Sequence, residues 1–119
     1  MKKIKYYYQL SLLLLSSLIA TNSLSAQNII SDKKTFLIQI ENHKFKPEII
    51  EVPANQPFTL TIENLDKTVE EFESDDLRKE KIIGGGKKLT LEMKPLKQGE
   101  YKFFGEFHPK TAQGKIIVK

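Results

Sequence analysis

The chain has 119 residues, of which 39% are hydrophobic and 29% are charged, so it is long enough for one compact domain and too short for two. Its formal net charge of +4 depends on Lys2, Lys3 and Lys5, because the first 26 residues contain no acidic residue. Without that segment, 16 basic residues face 15 acidic ones. A nearly neutral domain lacks the clustered basic surface that nucleic-acid binding requires.

The N-terminal segment has the three regions of a secretory signal peptide. A lysine-rich start is followed by an apolar run from Leu10 to Ala20 and then by small polar residues. The apolar run is shorter than the roughly 20 residues that a membrane-spanning helix needs. We therefore predict that residues 1–26 are a signal peptide, cleaved near Ser25 or Ala26, and that the mature domain, 27–119, lies in the periplasm. The chain has no cysteine, which excludes both disulfides and a lipid-modified cysteine.

Beyond Asn28 the hydrophobic pattern has period two, which is typical of half-buried strands. "TFLIQIEN" places Phe36, Ile38 and Ile40 on one face, and "FTLTIEN" alternates in the same way. Pro-, Gly- and Asn-containing turns separate these segments from the other strand candidates. Together they predict an all-β, Greek-key antiparallel β-sandwich. The other candidates are Ile49 to Val52, Glu71 to Ser74, Lys88 to Met93, Glu100 to Phe104 and Lys115 to Val118.

Two segments between the strands contain local signals that do not predict catalysis. "SDDLRKEK" is the one candidate helical turn, with Ser74 or Asp75 as its cap. The glycines 84–86 lack the spacing of a phosphate loop and are typical of a hairpin turn. No cysteine is present and neither His43 nor His108 follows a serine in a nucleophile motif, so hydrolysis and group transfer have no support.

Acidic residues and histidines at strand ends carry the remaining chemistry. Glu71 and Glu73 in "VEEFES" are two residues apart and project from one face of a strand, and Glu106 and His108 in "GEFH" repeat that spacing. Oxygen ligands with one imidazole suit Cu(II), Fe(II) or Fe(III). The alternative is that alternating glutamates form only the solvated face of a sheet.

Strand reversal at each connection would bring three loops to one end of the sandwich. These loops contain "ENHKF", "NLDKTVEEF" and "GEFHPKTAQG". We therefore expect His43, the segment 70–73 and the segment 106–108 to meet there. Acids and both histidines at one end repel or destabilise one another unless a cation compensates, which favours a metal site.

At these residues the chain resembles a known family. "NHKFKPEIIEVPANQPFTLTIENLD" is similar to the first half of cupredoxins, and "GEYKFFGEFHPKTAQGKIIV" is similar to their second half, G-x-Y-x-F-x-C-x-x-H with a final strand. The resemblance covers about residues 33–119. "EEFES" and "LRKEK" further resemble the cupredoxin domain of EfeO-type iron-uptake components. Those proteins accompany iron permeases and are thought to bind copper and iron.

The resemblance also assigns residues to the blue-copper ligand positions. Gly105 stands at the position of the family's cysteine ligand, and His108 stands at the position of its loop histidine. The position of the axial methionine falls on Ala112 or Gln113, and that of the first histidine falls on Glu70 or Glu71. Because a His2Cys set defines blue copper, this chain cannot form that centre. In the EfeO-like pattern Glu71 and Glu73 are the acids flanking the aromatic residue. The predicted ligands are Glu71, Glu73, Glu106, His108 and, further out, His43.

Two functions therefore remain open from the sequence. The first is a periplasmic protein that binds copper or iron and assists iron uptake, by metal delivery or by electron transfer during Fe(II) oxidation. Its partner would be an iron permease or a periplasmic iron-binding protein. The second is a metal-free adaptor that docks on a membrane or periplasmic protein through Phe72, Phe104 and Phe107, provided that these aromatic residues are exposed.

Overall fold

The computed structural model describes residues 32–119, which form nine β-strands. Within these residues, no helix is long and apolar enough to cross a membrane. The predicted signal peptide lies outside the described residues. The strands are β1 (Thr35–Glu41), β2 (Lys44–Lys46), β3 (Ile49–Val52), β4 (Phe58–Asn64), β5 (Glu70–Ser74), β6 (Lys79–Ile83), β7 (Lys88–Met93), β8 (Gly99–Gly105) and β9 (Gln113–Val118).

The strands form two sheets that pack as a sandwich, which confirms the predicted fold class. Sheet I has the order β2-β1-β4-β7, and sheet II has the order β3-β9-β8-β5-β6. Two pairs are parallel, β1 with β4 and β3 with β9, so both sheets are mixed where the sequence pattern predicted antiparallel pairing throughout. The pairs are parallel because the intervening chain crosses to the other sheet before it returns.

The core consists of the inward-facing side chains of both sheets. In β4, Phe58, Leu60 and Ile62 are almost fully buried, as the period-two pattern predicts. Phe45, Phe72 and Phe103 form an aromatic group at its centre, with Phe103 centred 5.0 Å from Phe45 and 5.1 Å from Phe72. Aromatic pairs at this spacing add about 0.5–1.5 kcal/mol to the burial of their surface.

Two local predictions are wrong. "SDDLRKEK" forms no helical turn: residues 75–78 are the loop of a β5–β6 hairpin, and Lys79 begins β6. Ser74 does cap that loop, since its hydroxyl accepts the Leu77 N–H at 3.1 Å. The sequence pattern missed β6 because this edge strand is largely exposed. The glycines 84–86 lie in a turn, but it joins sheet II to sheet I and is not a hairpin.

Three connections meet at one end of the sandwich, here called the site end. They are the β1–β2 turn (42–43), the β4–β5 loop (65–69) and the β8–β9 loop (106–112). The triglycine turn also reaches this end, because the Gly86 N–H donates to the Asp66 carbonyl at 3.0 Å. The predicted meeting of the three loops is therefore present.

Candidate metal centre

Glu70 is the buried carboxylate of the site end. It begins β5, where the side chains of Glu70, Phe72 and Ser74 face inward and are each no more than 1% exposed. Its Oε1 accepts the backbone N–H of Glu71 and that of Phe107, each at 3.0 Å. Its Oε2 lies 2.6 Å from His108 Nδ1. A carboxylate without bonding partners is rarely buried, so these three contacts explain why Glu70 is held in the interior.

His108 is presented by a tight β8–β9 loop. The Gly105 N–H donates to the Ala112 carbonyl at 2.9 Å and closes the base of the loop. The His108 carbonyl accepts the Ala112 N–H at 2.8 Å. The Nδ1 atom of His108 contacts the Glu70 carboxylate, and the His108 side chain is 31% exposed. His108 therefore lies between the interior and solvent.

His43 comes from the two-residue turn between β1 and β2. Asn42 has φ of 53° and His43 has φ of 57°, the left-handed pattern of a type I′ hairpin turn. The Asp66 carboxylate accepts the backbone N–H of Asn42 at 2.8 Å and that of His43 at 2.9 Å. Although burial alone would raise the pKa of Asp66, these two N–H donors and the nearby histidines lower it overall.

The two histidine rings are stacked. Their centroids are 3.6 Å apart and their planes differ by 17°. One ligand atom each from His43, Glu70 and His108 lies within 4.8 Å of the other two. The 2.6 Å between His108 Nδ1 and Glu70 Oε2 is a hydrogen-bond distance, so a metal ion would replace the proton shared by these two atoms or bind the other ring nitrogen of His108.

This donor set fits a copper ion of O and N coordination. Two imidazoles and a carboxylate suit Cu(II), whereas Cu(I) favours sulfur ligands. Because the chain contains no cysteine, a blue-copper centre is excluded. Bound there, the ion would supply one-electron chemistry. His43, Glu70 and His108 would hold it.

The structure shows which of the alternative residues lie beside Gly105. A Cβ atom added at Gly105 would lie 2.7 Å from Glu70 Cδ and 2.7 Å from Ala112 Cβ. Ala112 is fully buried, whereas Gln113 is exposed. Four residues therefore come together here: Glu70, Gly105, His108 and Ala112. The Glu70 carboxylate fills the space beside Gly105.

The predicted ligands Glu71, Glu73 and Glu106 lie apart from the histidines, on the outer face of sheet II. With Glu80 of β6 they form a carboxylate cluster. A side-chain hydrogen bond with Glu80, partial burial and repulsion by Glu80, Glu73 and Glu106 raise the pKa of Glu71. Burial and the adjacent Glu106 raise the pKa of Glu73.

The five predicted ligands thus divide between two places. His43 and His108 meet at the site end, and the three glutamates occupy the outer face. Sequence reasoning missed Glu70 as a ligand candidate and missed Asp66. The signal for Glu70 was available, since it shares its strand face with the core residue Phe72. Nothing local marks Asp66, because its contact with His43 is made between two separate loops.

Comparison with known proteins places this architecture in a family. Residues 12–118 match the family described as the cupredoxin-like domain, so the chain belongs to it. A relative in Rickettsia prowazekii (strain Madrid E), named Uncharacterized protein RP394, is 51% identical over 81 residues. The match covers 68% of this chain and 65% of that relative, so the chain spans less than two thirds of the relative's length.

Solved structures share the fold at low sequence identity. The metal-binding domain of the Streptococcus pneumoniae D39 Cu(I)-exporting P-type ATPase CopA, solved with Cu(I), has a TM-score of 0.63 and 18% identity, over 71% of this chain and 84% of that one. Auracyanin A, a "blue" copper protein of Chloroflexus aurantiacus, has a TM-score of 0.62 and 15% identity, over 71% and 98%. A purple cupredoxin of Nitrosopumilus maritimus has a TM-score of 0.55 and 22% identity, over 70% and 98%. These likenesses show the fold.

Proposed function

We propose that this protein binds a copper ion through His43, Glu70 and His108 and handles metal in the periplasm. The observation that carries the proposal is that the only two histidines of the chain stack beside a buried carboxylate. The three residues are at least 27 positions apart in sequence, so the arrangement is produced by the fold. Membership of the cupredoxin-like family and likeness to copper-binding structures support copper over other metals.

A Cu(II) titration followed by melting temperature and paramagnetic resonance tests this proposal. A ligand at 100 times its Kd stabilises the folded state by about 2.7 kcal/mol. For a domain of this size that corresponds to a rise in Tm of about 10–20 °C. His108→Ala and Glu70→Gln should lose most of the rise, and His43→Ala should lose part of it.

The control is Glu51→Gln, an exposed acidic residue that pairs with Ile117, towards the end of β9 that lies away from the β8–β9 loop. It should keep the full rise in Tm. His108→Ala that retains the full rise, with unchanged nitrogen hyperfine structure, would remove the site from consideration.

The carboxylate cluster is proposed as a second place for a harder cation such as iron. A side-chain hydrogen bond with Glu80 raises the pKa of Glu71 and burial raises the pKa of Glu73, with repulsion by neighbouring glutamates adding to both; a cation would relieve that repulsion. Carboxylate oxygens are hard ligands and suit a hard cation such as Fe(III). Glu73→Gln should weaken an Fe(III)-dependent rise in Tm and leave the Cu(II)-dependent rise unchanged. Equal effects on both metals would count against two separate places.

The wider role proposed is assistance to iron uptake, by metal delivery or by electron transfer during Fe(II) oxidation, beside an iron permease or a periplasmic iron-binding protein. This rests on the resemblance to EfeO-type domains. A single-site domain cannot alone reduce oxygen by four electrons, so an oxidation role requires a partner. Three exposed apolar side chains on the loops of the site end favour contact with a protein: Leu65 (46% exposed), Val69 (44%) and Phe107 (45%).

The same three side chains are the observation that favours a metal-free adaptor. Of the aromatic residues first considered for docking, Phe72 is fully buried in the core, and only Phe107 is markedly exposed. The two functions are separated by a pull-down from the periplasm of the source cell with wild type and His108→Ala. Without His108, an adaptor keeps both its partners and its activity with those partners. A metal-delivery or electron-transfer protein that lacks His108 loses its activity with the partners that it binds.

A further inference from the structure

The Asn42-His43 turn has a backbone conformation that a histidine does not favour. Both residues have positive φ, and two-residue turns of this type strongly prefer glycine at the second position. Histidine is tolerated there more often than most residues, but the left-handed conformation still requires compensating contacts. The β1–β2 pairing of Glu41 with Lys44 fixes the length of the turn without fixing the direction of the imidazole.

Asp66 provides those compensating contacts from a different part of the chain. Its Oδ1 accepts the Asn42 N–H at 2.8 Å, and its Oδ2 accepts the His43 N–H at 2.9 Å. The same Oδ2 lies 3.5 Å from His43 Nδ1. One carboxylate therefore faces the backbone of both turn residues and one edge of the imidazole.

Asp66 is itself held in place by buried polar contacts. Its N–H donates to Asn64 Oδ1 at 3.1 Å, and its carbonyl accepts the Gly86 N–H at 3.0 Å. Asn64 is fully buried, and its side-chain amide donates to the carbonyls of Thr68 at 2.8 Å and Ile83 at 3.0 Å. Gly85 packs so closely that an added Cβ would lie 2.0 Å from the Lys67 carbonyl oxygen. The carboxylate is thus fixed relative to the sandwich.

We infer that Asp66 is a positioning residue that holds the His43 imidazole over His108 and so completes the three-residue metal site. Without the carboxylate, the turn would lose the two contacts that orient His43, while Glu70 and His108 would keep theirs. The inference rests on the proposed function, because the position of His43 matters to a metal only if one is bound there.

The test compares Asp66→Asn with a matched control, Asp76→Asn. Asp76 also accepts a backbone N–H, from Lys102 at 2.8 Å, but contacts no residue of the site. Removing a residue that orients a metal ligand typically weakens metal binding about 10–100-fold. We expect a Cu(II) affinity loss of that order for Asp66→Asn, with one nitrogen removed from the paramagnetic resonance hyperfine pattern, and no change for Asp76→Asn.

A His43→Ala background shows whether Asp66 acts through His43. In that background Asp66→Asn should cause little further loss of affinity. An unchanged affinity in Asp66→Asn, or an equal additional loss in the His43→Ala background, would overturn the inference.

Amide exchange in metal-free protein tests the same contact without copper. The Asn42 and His43 amides should be protected in the wild type and should exchange at least about tenfold faster in Asp66→Asn. Exchange in the wild type as fast as that of exposed loop amides would show that Asp66 does not hold the turn. A wild-type protein that binds no Cu(II) would refute the proposed function instead, and amide exchange would still decide the role of Asp66.

Discussion

Gly105 is the position at which the family resemblance expects a cysteine, and replacing it with alanine tests whether the Glu70 carboxylate has taken that space. The added methyl group would lie 2.7 Å from Glu70 Cδ, 2.7 Å from Ala112 Cβ and 2.9 Å from Glu70 Oε1. Carbon atoms in favourable contact are about 3.5–4.0 Å apart, so the overlap is about 0.8 Å or more. The backbone at Gly105 has no positive φ, so contact, not backbone strain, determines the effect.

The expected loss of stability follows from how little Glu70 can move. Turning its carboxylate away would break bonds to two backbone N–H groups, and leaving a buried donor unpaired costs about 1–3 kcal/mol. Keeping it in place requires overpacking, which costs about 1–3 kcal/mol. Replacing glycine with alanine also stabilises the folded state by about 0.4–1 kcal/mol, because alanine restricts the conformations of the unfolded chain. The net loss should be about 1–2 kcal/mol, or a Tm lower by about 4–16 °C.

Urea and thermal denaturation of metal-free protein measure this difference. Gly84→Ala is the control, because its Cβ would meet only the flexible Lys87 side chain, with Cγ at 3.3 Å. That variant should stay within about 0.5 kcal/mol of wild type. Equal stabilities of Gly105→Ala and wild type would show that the Glu70 carboxylate does not occupy the space beside residue 105.

Three further predictions concern charge, the buried amide and the spectrum. Glu71→Gln should raise the free energy of unfolding of the metal-free protein at pH 7, with little effect near pH 4. The raised pKa means that the folded state binds a proton that the unfolded state releases above about 4.5, so wild-type stability falls as pH rises through that window. Unfolding curves at several pH values measure this, and an unchanged pH dependence in the variant would contradict it. Asn64→Ala should destabilise the domain by about 2–4 kcal/mol in urea denaturation, because it leaves the Asp66 N–H and two carbonyls unpaired. Cu(II)-loaded protein should be nearly colourless, since no thiolate exists to give the intense sulfur-to-copper band; a strong blue band in its absorption spectrum would refute the assigned ligands.

The fold class could be predicted from the sequence because strand patterns and turns are local. Period-two alternation in "FTLTIEN" and "TFLIQIEN" specifies which side chains face the core, and the Pro-, Gly- and Asn-containing segments specify where strands end. The edge strands β2 and β6 were not predicted from the sequence. Because β2 has three residues and β6 is mostly exposed, neither strand shows a clear apolar face. The parallel pairing of β1 with β4 has no local signal.

The absence of blue-copper chemistry was also determined by sequence, because a chain without cysteine cannot supply the thiolate. The three loops that meet at the site end were predicted from strand order. Of the three residues proposed as ligands, His43 and His108 were predicted from the sequence, whereas Glu70 was not, because a one-residue difference along β5 separates the interior from the outer face. Glu71 and Glu73 belong to the outer face, while Glu70 turns inward to His108. The stacking of His43 on His108 and the contact of Asp66 with His43 were decided only by the tertiary structure. These contacts join loops more than 20 residues apart, and the packing of the two sheets sets the positions of those loops.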